Sequence, residues 1–260
     1  MGKVETHTRV DRAQGVDRRG ALSRLGSVVA VGILDGCGGG DASGSPTGSS
    51  SASSTSSTST TSTNAQCVVT PELTEGPYFV DEMLDRSDIR TDPATGAARP
   101  GVPLTLELVL SRVAASGCGP LAGALVDVWH CDAGGLYSDV AAQGTGGQAF
   151  LRGYRLSDAS GSARFTTIYP GWYPGRAVHI HFKVRTTPTG SSGLEFTSQL
   201  FFDEALTDQV YAQPPYNQRG RRDTLISNDG IFRSGGTSLL VPITAAGSGY
   251  SGRLYVGVRT

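Results

Sequence analysis

The sequence predicts an all-β fold, a β-sandwich of short, mostly antiparallel strands with long loops that carry the site. Three observations predict it. Apolar and polar residues alternate with period two in several short segments. Clusters of Gly, Asp and Ser separate those segments, and helical periodicity is confined to one short stretch near Asp203–Val210.

Taken in order, Leu104–Leu110 reads Leu-Thr-Leu-Glu-Leu-Val-Leu, the pattern of a half-buried strand. Ala124–Trp129, Gly161–Ile168, Val178–Val184 and Ser198–Phe202 read the same way. Leu239-Leu-Val-Pro-Ile243 and Gly252–Val258 are expected to form the closing pair. Many short strands between tight turns indicate a sandwich or barrel. About 195 residues are ample for one core. One domain over residues 66–260 follows.

The preceding residues have a different character. Arg18-Arg19 stands ahead of the apolar run Leu25–Leu34, which is ten residues long. A bilayer span needs about 20, so the run fits an export signal over residues 1–36 instead, by a twin-arginine-like route. Cys37 follows as a candidate lipidation site, resembling a bacterial lipoprotein signal. Residues 37–65 are mostly Ser, Thr, Gly and Ala, a composition that reads as a flexible tether. The expected location is extracytoplasmic, secreted or at the cell surface, touching the membrane only through a lipid anchor.

Charge excludes some partners. Residues 1–36 hold six of the 22 basic and four of the 23 acidic residues, and the remaining 16 and 19 leave a net charge near −3. Such a surface offers no basic excess for nucleic acid. An exported chain can keep a disulfide. Cys67 and Cys118 lie at a segment start and in a loop, and Cys131 lies inside an apolar strand. The expected pair is Cys67–Cys118.

Arg176-Ala-Val-His179-Ile-His181 carries the chemistry. A His-x-His pair on a strand points both imidazoles to one side. Tyr173 precedes it by six residues, and Tyr137 follows a glycine turn at the end of another strand. The chain has four histidines in all, so a metal site here must draw on other donors. Phenolate is a hard anionic oxygen donor and suits a hard, highly charged cation, whereas zinc and copper favour thiolate, carboxylate or three imidazoles. A phenol with a free pKa of about 10 gives up its proton near neutrality only to a strongly Lewis-acidic metal. Ferric iron fits best.

With these residues in view, the chain resembles the intradiol ring-cleavage dioxygenases, and in particular their exported single-domain branch. The stretches that carry the likeness are Thr70–Phe79, Leu121–Tyr137, Phe150–Tyr154, Phe165–Phe182 and Ser198–Phe202. The resemblance implies a non-haem Fe(III) held by Tyr137, Tyr173, His179 and His181, with Tyr173 the ligand that leaves when substrate chelates. It implies that Arg176 and Gln199 steady charge on the substrate ring, and that Thr74, Gly76 and Pro77 wall the pocket. The implied reaction opens a catechol-type ring between its two hydroxyl-bearing carbons with O2, giving a muconate-type diacid. Relatives that dimerise through an N-terminal helical region have it where this chain has its tether, which favours a monomer. The competing reading is a cell-surface binding module with an inert His/Tyr cluster, which would need neither Arg176 nor Gln199. A zinc hydrolase built on His-x-His lacks a third imidazole or a suitably spaced acid.

Overall fold

The computed structural model describes residues 67–186 and 193–260. The export signal, Cys37 and the tether all lie outside them. Among the described residues nine strands form two sheets. In the first, β1 (Pro103–Ala114) pairs in parallel with β9 (Gly249–Arg259) along one edge. Its other edge takes β5 (Ser162–Ile168) and then β2 (Gly117–Pro120), both antiparallel, and β8 (Ile243–Ala246) extends the sheet beyond β9. The second sheet runs β4 (Arg152–Leu156), β3 (Leu125–Trp129), β6 (His179–Arg185), β7 (Glu195–Phe201), antiparallel throughout.

The alternation in β1 works as its pattern indicates: Leu104, Leu106, Leu108 and Leu110 are buried, while Thr105 and Glu107 are not. They meet Val126 and Val128 of β3 and Ile180, Phe182 and Val184 of β6 in a single core. Complete burial of a side chain such as Phe182 stabilises by roughly 2 to 3 kcal/mol, and the core sums many such contributions.

The second sheet departs from the half-buried pattern. Every residue of β3 and β6 is buried, on both faces. His179, His181, Lys183 and Arg185 share the outer face of β6, and the segment after Pro71 lies across it. Glu75 pairs with Lys183, Asp81 with Arg185 at 2.7 Å, and Phe79 packs on Trp129 at 4.8 Å between ring centres. Lys183 also stands 4.1 Å over the Phe79 ring. These contacts hold an irregular segment over the strand that presents both histidines.

The closing pair differs from the expectation. β8 starts at Ile243, and Leu239 ends a 3-10 turn instead of lying in a strand. Leu240 bridges to Phe201 of the other sheet, and Pro242 follows. Proline lacks the N–H a ladder requires, so the strand begins only after it. The expected helix is α1 (Glu204–Tyr211), capped by Asp203, whose carboxylate accepts from Leu206 N. A second, four-residue helix, α2 (Gly230–Arg233), is capped by Asp229. Cys67 and Cys118 are joined as a disulfide with Cα atoms 5.5 Å apart, and Cys131 is a buried free thiol.

Candidate metal centre

β3 ends at Trp129, and the chain turns sharply to deliver Tyr137. Asp132 Oδ1 accepts from the N–H of Gly134 at 2.9 Å and of Leu136 at 3.0 Å, which shapes the turn. Gly135 sits at φ +80°, and a Cβ there would lie 2.1 Å from the Trp172 carbonyl oxygen. Only glycine fits, because the turn must pass against the loop that carries Tyr173. Tyr137 is fully buried, and its N–H donates to Gln143 Oε1 at 2.7 Å.

Tyr173 reaches the same place from the loop between β5 and β6. Its Oη lies 3.1 Å from His179 Nε2, and the two phenol rings are 5.6 Å apart edge to face. His179 and His181 project from the outer face of β6, as period two requires, with Nε2 atoms 3.0 Å apart. The Nδ1 of His179 lies 2.6 Å from the Ala177 carbonyl oxygen. A carbonyl only accepts, so Nδ1 carries the proton and Nε2 keeps its lone pair. His181 stacks on Trp129 at 5.0 Å.

Four donor atoms thus converge. Burial, helped by the neighbouring Cys131 and Tyr173, raises the Tyr137 phenol well above its ordinary value. Burial pushes Tyr173 up to about 12, partly offset by the Arg176 charge. Burial, then the Arg176 charge, lowers His179 to about 3; burial and His179 itself hold His181 well below the usual imidazole range. The protein without metal therefore holds neutral phenols and neutral imidazoles at this point.

A metal ion fits this donor set on two observations. Tyr137 Oη is buried and meets no polar group outside the cluster, its one hydroxyl neighbour being the Tyr173 phenol, which leaves a lone pair for an ion to take. Tyr173 Oη and the two Nε2 atoms also stand in a row, 3.1 Å and 3.0 Å apart, close enough for one cation to be shared among them. Among the described residues no three His, Cys, Asp or Glu group as a metal site, so the set is phenols and imidazoles.

Arg176 and Gln199 stand beside it. Arg176 Nη2 donates to Gln199 Oε1 at 2.5 Å, and Gln199 Nε2 donates to the Thr74 carbonyl at 2.7 Å. Gly76, at φ +72°, backs His181: a Cβ there would meet its Cε1 at 3.4 Å. Pro77 is exposed between Gly76 and Tyr78. The structure thus gathers the proposed ligands with Arg176, Gln199 and Gly76, while Thr74 and Pro77 are exposed and Thr74 reaches the cluster only through its carbonyl on Gln199. Sequence reasoning missed Tyr78, which stacks on Tyr137 at 4.3 Å, and Asp229, which binds Arg176. Asp229-Gly230 carries a helix-cap signal that could have drawn notice.

A β-sandwich thus carries a two-phenol, two-imidazole cluster at one sheet, and known proteins of similar sequence and fold place it in a family. Residues 74–239 match a family model described as Dioxygenase. The protocatechuate 3,4-dioxygenase beta chain of Burkholderia cepacia is 32% identical over 157 residues, 55% of this chain and 64% of that relative. An intradiol ring-cleavage dioxygenase from Tetranychus urticae superposes with a TM-score of 0.65 at 30% identity, over 74% of this chain and 95% of that one. The dioxygenase domain of a carbohydrate-binding fusion protein from Streptomyces sp. SirexAA-E gives 0.52 at 29% identity, over 74% and 98%. The chain belongs to the intradiol ring-cleavage dioxygenase family.

Proposed function

We propose that this protein opens the ring of catechol-type aromatics between their two hydroxyl-bearing carbons, using O2 and a non-haem ferric ion held by Tyr137, Tyr173, His179 and His181. The convergence of those four donors, one of them a buried hydroxyl with no partner outside the cluster, is the observation that carries the reading. A ferric ion there would supply Lewis acidity and a template for two adjacent hydroxyls.

The chain's own groups divide the remaining work. Tyr173 is the less buried of the two phenols, so as a phenolate holding the ion it would be the one free to accept a substrate proton. Arg176, held between Gln199 and Asp229, presents fixed positive charge where negative charge develops on the ring. The segment Thr74–Tyr78 borders the site, with Gly76 against His181, Tyr78 stacked on Tyr137, and Thr74 and Pro77 on its outer side. The domain works outside the cytoplasm as a monomer, carried on its Ser/Thr tether from a lipidated Cys37.

Metal analysis and colour test the reading. Purified protein should carry one iron per chain and be burgundy from tyrosinate-to-iron charge transfer. A colourless protein with stoichiometric zinc would refute it.

A further inference from the structure

Asp229 is 1% exposed and bonded through both oxygens. Oδ1 accepts from Ile231 N at 2.7 Å and Phe232 N at 3.0 Å, which caps α2. Oδ2 accepts from Arg176 Nε at 2.9 Å and from Ala177 N at 2.7 Å. Ala177 is also the residue whose carbonyl receives the Nδ1 proton of His179 at 2.6 Å. Capping needs one oxygen only, and a serine or threonine would supply it. The second oxygen grips two consecutive residues, one the charged neighbour of the site and the other the anchor of an imidazole.

We propose that Asp229 is the positioning residue for both Arg176 and His179. A guanidinium tethered at one nitrogen still turns about that bond. Arg176 is tethered at two, Nε on Asp229 and Nη2 on Gln199, so its plane is set. Fixing Ala177 likewise fixes where its carbonyl points, and that carbonyl keeps the His179 proton on Nδ1 and the lone pair on Nε2. The inference rests on the reading of the cluster as the catalytic metal centre.

Asp229→Asn is the informative variant. Its remaining oxygen can keep the α2 cap, and its NH2 meets the Arg176 and Ala177 donors with a donor. The expected result is a 10- to 100-fold fall in kcat with KM changed less than threefold. In metal-free protein labelled with 15N, the His179 ring shifts should move from a single Nδ1–H tautomer to a mixture. Combined with Arg176→Gln, the loss in kcat should be less than additive. Wild-type kcat in Asp229→Asn, or a loss fully additive with Arg176→Gln and an unchanged His179 tautomer, overturns the proposal. If neither wild type nor variant opens a catechol ring while the tautomer still shifts, the positioning role stands and the proposed reaction falls. Should Asp229→Asn not fold, amide exchange in the wild type decides: Ala177 N–H should exchange as slowly as the β6 amides, and fast exchange contradicts the bond to Asp229.

Discussion

Gln199 stands directly opposite His181 in the β6–β7 ladder, so a single carboxamide beside one imidazole also bonds Arg176 and the Thr74 carbonyl. It is fully buried, and both ends of its carboxamide are bonded. Gln199→Leu keeps the bulk but removes one of the two ties on Arg176 and the donor to the Thr74 carbonyl. It should lower kcat/KM with a catechol by 10- to 100-fold and destabilise by about 1 to 3 kcal/mol, read by steady-state kinetics and urea melts. Unchanged values in both would remove Gln199 from the site.

Tyr137→Phe separates stability from function. The hydroxyl it removes is buried and meets only the Tyr173 phenol, so metal-free Tyr137→Phe should lie within about 1 kcal/mol of wild type in stability. Iron retention and the visible charge-transfer band should fall sharply. A marked loss of stability in the metal-free variant would mean that the hydroxyl serves the fold.

Acid sensitivity follows from His130. Its Nδ1 donates to the Cys131 carbonyl at 2.8 Å, and its Nε2 accepts from Thr167 Oγ1 at 2.6 Å. Burial lowers it from 6.5 to about 4. The unfolded imidazole takes a proton near 6.5 while the folded one resists until about 4. Stability is therefore whole above pH 6.5 and is lost as pH falls toward 4, on the order of 3 kcal/mol. His179 and His181 are lowered in the same sense, so His130→Gln should reduce the slope of the unfolding free energy across that window by one imidazole's share, and an unaltered slope would contradict it.

The Cys67–Cys118 bridge closes a sequence separation of 51 residues. Loop-closure entropy gives it about 4 kcal/mol at most. Cys67→Ser with Cys118→Ser should lower the melting temperature by several degrees and leave iron content unchanged, because neither residue lies in the cluster around Tyr137. Loss of iron from this variant would tie the bridge to the site.

Much of this was legible in residue order. Period two in Leu104–Leu110 and His179–Phe182 is a local rule, and it correctly sets which side chains share a face. The glycine turn before Tyr137 is equally local. Burial of both faces of β6 was not legible, since it depends on Glu75, Phe79 and Asp81 reaching strand residues about a hundred positions away. Asp229 escaped for the same reason, 53 positions from Arg176 and meeting it only once the chain has folded. Pairing of β8 turned on Pro242, whose missing N–H postponed the strand to Ile243.

Oxygen uptake tests the central claim most directly. Iron-loaded protein supplied with catechol under 18O2 should consume one O2 per ring and yield a ring-opened diacid containing both labelled atoms. Absence of uptake with a panel of substituted catechols, from protein that holds its iron, would contradict the account.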